Sequence, residues 1–113
     1  MLVTDRRQLI LVAAAASLLA ACSPLEMLSA VSPSGHYERV ADVQYGEAER
    51  QFLDVYKPTT VMAEAPLVIY FYGGGWADGH KEEFEFVASS LTRAGMIVAI
   101  PDYPLYPDVV FPT

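Results

Sequence analysis

Between Leu67 and Gly79 the chain runs Leu-Val-Ile-Tyr-Phe-Tyr-Gly-Gly-Gly-Trp-Ala-Asp-Gly, and this stretch limits the fold more than any other. Leu67–Tyr72 is short, follows Pro66 and is rich in β-branched and aromatic residues, so it predicts a buried strand. Gly73, Gly74 and Gly75 then stand where that strand must end. Consecutive glycines free the backbone to adopt positive φ and leave no side chain between its amides and an approaching group. Such a loop suits an anion or a developing negative charge.

The flanking segments supply an α/β context. Glu38–Tyr45 and Arg50–Tyr56 read as strands joined through Gly46-Glu47-Ala48-Glu49, hence an antiparallel hairpin. In the second, Phe52, Asp54 and Tyr56 share one face and Leu53 and Val55 the other. Lys81–Ala94 predicts one amphipathic helix, with Phe84, Val87, Ala88 and Leu91 at helical spacing and Gly95 as its stop. Glu82, Glu83 and Glu85 favour its start and Arg93 its end. Met96–Ile100, bounded by Gly95 and Pro101, is a second buried strand. Strand, helix and strand with short joins make a right-handed βαβ unit with parallel strands. The expected fold class is therefore α/β, an antiparallel hairpin leading into βαβ. Asp102–Thr113, with three prolines, is a loop at the carboxyl end of a strand, where open α/β sheets place their sites. A sheet this small is expected to leave strands 67–72 and 96–100 with unpaired edges or a bare face.

A net charge of −7, from 14 acidic and 7 basic residues, argues against a nucleic-acid partner. One cysteine rules out an intrachain disulfide or a cysteine metal cluster, and His36 and His80 have no ligand-like spacing. No metal or cofactor is expected.

Residues 1–21 read as an export signal. Arg6 and Arg7 precede an apolar run, Leu9–Ala21, that is too short to span a bilayer core. Leu19-Ala20-Ala21-Cys22 resembles the lipobox of bacterial lipoproteins. That resemblance implies diacylglyceryl transfer to Cys22, cleavage before it, acylation of the new amino terminus and a stable membrane anchor. The alternative is an ordinary secretory signal with an incidental cysteine. Ser23, rather than Asp, suits outer-membrane sorting of the exported product. Residues 22–37, rich in Ser, Pro and Gly, are expected to tether the domain of residues 38–113, with about one helical turn between.

Three motifs now stand in order: Leu53-Asp54-Val55-Tyr56-Lys57-Pro58, Tyr72-Gly73-Gly74-Gly75-Trp76, and Asp102-Tyr103-Pro104-Leu105-Tyr106-Pro107. Together they resemble the N-terminal part of an α/β-hydrolase, in the esterase and lipase branch with a His-Gly-Gly-Gly-Trp loop. Carboxylesterase, feruloyl-esterase-like and kynurenine-formamidase-like proteins belong to that branch. The resemblance implies a small-molecule ester substrate and an oxyanion hole fed by the amides of Gly74 and Gly75, with Gly73 allowing the turn. The alternative is a glycine turn needed only for strand-to-helix geometry. Trp76 either walls an acyl pocket or packs as a core residue beneath the loop. Two positions depart from the family pattern: Tyr72 replaces a histidine, and Pro104 replaces an arginine, which is expected to loosen the second loop.

Acyl transfer of this kind also needs a serine on a Gly-x-Ser-x-Gly elbow, then an acid and a histidine. Ser17, Ser23, Ser29, Ser32, Ser34, Ser89 and Ser90 lack that setting. The expectation is the front of an exported serine hydrolase whose triad lies outside these residues. The alternatives are a non-catalytic surface lipoprotein and a pseudogene remnant.

Overall fold

The computed structural model describes residues 24–110; the export signal, Cys22 and Pro112 lie outside the described residues. Helix α1 (Pro24–Ala30) comes first, followed by β1 (Tyr37–Gln44), β2 (Phe52–Pro58) and β3 (Leu67–Ile69). A 3₁₀ turn (Lys81–Phe84), helix α2 (Glu85–Arg93) and β4 (Ile97–Pro101) complete the described elements. The four strands form one mixed sheet in the order β1-β2-β4-β3. The hairpin β1-β2 is antiparallel, β3 and β4 are parallel, and β4 also pairs antiparallel with β2.

Register sorts the side chains onto two faces. Tyr56 pairs with Val98 and Asp54 with Ile100, and all four are fully buried under the helical layer. Tyr37, Tyr72, Phe84 and Ala88 complete that core, with Val87 and Leu91 of α2 packed against it. Leu67 and Ile69 alternate onto the opposite face of β3 and stay exposed, as do Phe71 just beyond the strand and Val40 on β1. Among the described residues, the expected bare face and free edge are therefore found at β3. At β4 they are not, because β2 and β3 flank it and Val98, Ala99 and Ile100 are buried.

The predicted single helix 81–94 is divided at Phe84, where φ is −108°. Its first turn tightens to 3₁₀ because Lys81 and Phe84 are both drawn into the interior. The end follows expectation: Gly95 takes φ +86° and its N–H bonds the Thr92 carbonyl at 2.9 Å. Residues 24–36 lie against this helical layer. Ser29 Oγ donates to the Glu83 carbonyl, Ser89 Oγ to the Pro33 carbonyl, and His36 Nε2 meets the Ser89 carbonyl at 2.9 Å. Among the described residues no helix is long and apolar enough to cross a membrane.

A charged cluster that pattern reading missed holds the hairpin to the helical layer. Asp54 is fully buried and accepts from Arg39 Nε (2.9 Å) and Nη2 (2.5 Å), while Lys81 Nζ stands 3.1 Å away. Lys81 also reaches Asp42 (2.8 Å) and Glu82 (2.5 Å). The register of β1 slips between Val40 and Val43, and Asp42 takes φ +56° there. The bulge turns the Asp42 N–H onto Asp54 Oδ1 at 2.9 Å. Burial pulls the Lys81 pKa down, but hydrogen bonds to Asp42, Glu82 and Asp54 outweigh it and hold the ammonium well above its ordinary value. A charged residue on the inner face of β2, alternating with Tyr56, was the available signal.

Candidate active site

The ladder of β3 ends at Ile69, although the Tyr70 N–H still donates to the Ala99 carbonyl at 2.8 Å. The chain then leaves the sheet beside β4 and turns within the glycine run. The Gly74 carbonyl accepts from the N–H groups of Ala77 and Asp78, both at 3.2 Å. A Cβ on Gly74 would stand 1.9 Å from the Asp78 carbonyl oxygen, so only glycine fits there. Gly75 and Trp76 follow in the left-handed region, at φ +63° and +65°. Gly73 has neither a positive φ nor a neighbour that a Cβ would meet, so the reversal is made by the three residues after it.

This turn leaves its donors open. Among the described residues, the N–H groups of Gly74 and Gly75 donate to no protein acceptor. Both glycines are exposed and border a depression of about 290 Å³ walled by Phe71, Trp76 and Tyr103. Trp76 is 72% exposed and meets the Tyr103 ring edge-on at 5.6 Å, so it is not a core residue of the described chain. Unpaired amides beside an aromatic wall can receive an oxygen that carries negative charge, with apolar substituents lying against the rings.

Tyr72 holds the loop from below. Its ring stacks on Phe84 at 5.0 Å and its hydroxyl donates to Asp102 Oδ1 while accepting from Arg50 Nη2 at 3.0 Å. Burial, then the hydrogen bond and negative charge of Asp102, push the phenol above its ordinary pKa, against the opposing effect of Arg50. It therefore stays a neutral donor. Asp102 also accepts the Lys81 N–H at 2.9 Å, which satisfies the first turn of the helical layer from outside.

The second loop is tied to the first rather than loosened by Pro104. Tyr103 Oη donates to the Tyr72 carbonyl (2.6 Å) and the Tyr106 N–H to the Trp76 carbonyl (2.7 Å). Arg50, read from the sequence only as a strand start, brings a guanidinium to this junction.

The hydroxyls of Ser29, Ser32, Ser89 and Ser90 all donate to main-chain carbonyls, and His80 is exposed. His80, Glu82 and Asp102 converge within 4.8 Å. Glu82 accepts from Lys81 Nζ, and Asp102 accepts from the Tyr72 hydroxyl with Arg50 Nη2 3.6 Å away, so both carboxylates already have partners on the chain.

A sequence profile of the BD-FAE family matches residues 53–113, which includes both loops. The chain belongs to the BD-FAE family. Kynurenine formamidase of Danio rerio is 43% identical over 70 residues, which cover 62% of this chain and 24% of that protein. Isoprenylcysteine alpha-carbonyl methylesterase of Arabidopsis thaliana is 32% identical over 65 residues, covering 58% and 15%. Among solved structures, esterase B of Lactobacillus rhamnosis superposes with a TM-score of 0.67 at 27% identity, covering 89% of this chain and 33% of that one. The BD-FAE chain thus spans about a quarter of the length of the formamidases it matches. Its sheet is the N-terminal part of an esterase-type α/β-hydrolase fold.

Proposed function

We propose that this chain supplies the oxyanion-hole portion of an exported serine hydrolase acting on small carboxylic esters. Gly74 and Gly75 are the donors. The observation that carries the proposal is the pair of open amides at the end of a parallel strand, in a chain of an esterase-type family. When a nucleophile adds to the ester carbonyl, its oxygen becomes an alkoxide. Two fixed amides stabilise that charge without having to reorganise, and losing one such donor costs about 2.7–4 kcal/mol in the transition state. Trp76, Phe71 and Tyr103 line the acyl side. The serine nucleophile, acid and histidine are supplied by polypeptide outside these 113 residues, so the chain alone forms the hole without performing turnover.

Cys22 carries the lipid that anchors the exported product to a membrane, the outer membrane in the proposed sorting. Replacing Cys22 with Ser should release the protein from the membrane fraction; retention would refute the anchor. For the catalytic proposal, hydrolysis of a short nitrophenyl ester is measured for this chain and for the complete hydrolase, meaning these residues joined to the nucleophile-bearing segment. Turnover by the complete form alone is the expected result. Absence of turnover by both, with each folded, would favour a binding role instead.

A further inference from the structure

We propose that Arg50 is a positioning residue that locks the glycine loop to the loop after β4, so that the Gly74 and Gly75 amides keep one orientation. This rests on the oxyanion reading for its catalytic consequence, while the clamp itself stands on geometry.

Arg50 lies in the connection between β1 and β2, three residues before the family match begins (53 − 50), and no motif singled it out. Its side chain is four-fifths buried, and the guanidinium meets three separate segments. Nε donates to the Tyr103 carbonyl at 3.0 Å. Nη2 donates to the Tyr72 hydroxyl at 3.0 Å and to the Gly79 carbonyl at 2.6 Å, with Asp102 Oδ1 3.6 Å away. Tyr72 is the residue before the glycine run, Gly79 ends the loop, and Tyr103 belongs to the second loop. One planar fork therefore fixes both ends of the glycine loop and the neighbouring wall of the depression.

The geometry needs that fork. Nε and Nη2 aim at acceptors on different segments, and a single ammonium cannot occupy both positions. Without the guanidinium, the Gly79 carbonyl at one end of the loop retains only the Tyr72 hydroxyl at 3.2 Å, and that proton is already committed to Asp102. The Tyr103 carbonyl loses its partner as well. The loop then keeps its fold but not its fixed aim, which for an oxyanion site lowers the rate more than substrate affinity.

The test uses the single tryptophan of the chain, Trp76, which sits in the loop. Time-resolved fluorescence anisotropy of the full chain reads loop motion on the nanosecond scale. In Arg50→Gln and Arg50→Lys alike, the amplitude of fast depolarisation should rise about twofold with unchanged far-ultraviolet circular dichroism. Unchanged anisotropy in both variants, or full restoration by Lys, overturns the clamp. Should the variants fail to fold, the unmutated chain decides the point. The Arg50 Nε–H should exchange with solvent on the order of 10-fold more slowly than that of exposed Arg93, and equal rates refute the proposal. In the complete hydrolase, both variants should lower kcat by roughly 10- to 100-fold with little change in KM. A hydrolase with no turnover in any form would sink the proposed function, while anisotropy and exchange still decide the clamp.

Discussion

Gly74→Ala is the perturbation with the most definite structural consequence. A methyl at this position would meet the Asp78 carbonyl oxygen at 1.9 Å, where real Cβ contacts do not fall below 3.0 Å. Both atoms are fixed to the backbone, so no rotamer change relieves the overlap and the turn must open by 3.0 − 1.9 = 1.1 Å. Opening it breaks the bonds from Ala77 and Asp78 to the Gly74 carbonyl, worth about 0.5–1.5 kcal/mol each, for a total near 1–3 kcal/mol. Gly75→Ala is the matched control. It meets no atom within 4 Å and carries only the left-handed penalty of roughly 1–2 kcal/mol at φ +63°. The two variants should therefore cost similar stability in urea unfolding but differ in the complete hydrolase. Shifting an amide by about 1 Å costs up to ~100-fold in kcat, so Gly74→Ala should fall by that order. Gly75→Ala, whose amide stays in place, should remain within about a factor of three. Equal kcat values for the two variants would refute the assignment of the Gly74 amide as a donor fixed by this turn.

Asp54→Ala removes the common partner of Arg39 and Lys81 in the interior and should destabilise the fold by about 3–5 kcal/mol in urea unfolding; a loss under 1 kcal/mol would show the cluster to be incidental. Tyr72, Tyr56 and Lys81 all have pKa values raised above their ordinary 10.0, 10.0 and 10.5. Raised values mean that the stability these groups contribute is whole below about pH 10 and declines as pH climbs toward the folded-state values. Unfolding free energy followed from pH 8 to 12 should fall only in its upper part, and a decline complete before pH 10 would contradict the buried hydrogen-bonded phenols. Leu67 and Ile69 on β3, which is an edge strand among the described residues, and Phe71 just beyond it are exposed and predict concentration-dependent self-association of this chain in sedimentation velocity. Ile69→Lys should reduce it, and unchanged association would place the contact elsewhere.

The parallel strands were legible because each lies in a short apolar run bounded by glycine and proline, the hairpin because Gly46 breaks two strand-like segments, and the helix end because Gly95 marks a stop that the backbone uses at φ +86°. The glycine loop was legible as a position but not as a shape. The sequence could not say that the turn falls on Gly74, Gly75 and Trp76 rather than Gly73. That depends on where the Asp78 carbonyl comes to rest. Least visible were the long-range polar contacts. Arg50 and Tyr72 are 22 residues apart and Tyr72 and Asp102 are 30 apart, so no local periodicity relates them. Pro104 suggested a loosened second loop because a local guanidinium was missing. The structure brings one from the hairpin instead, and no spacing rule announces it. Asp54 and Lys81 escaped notice because charged side chains read as surface, although Asp54 alternates with Tyr56 on the inner face of β2; the fold buries these two against each other.

The proposed role of the Gly74 and Gly75 amides is to receive the oxyanion. It is tested most directly by amide nuclear magnetic resonance of the complete hydrolase before and after reaction with a phosphonate ester, whose anionic oxygen mimics the tetrahedral intermediate. The Gly74 and Gly75 amide protons should both move strongly downfield while those of Gly35 and Gly95 do not. Full inhibition by the phosphonate with both loop amides unmoved would contradict it.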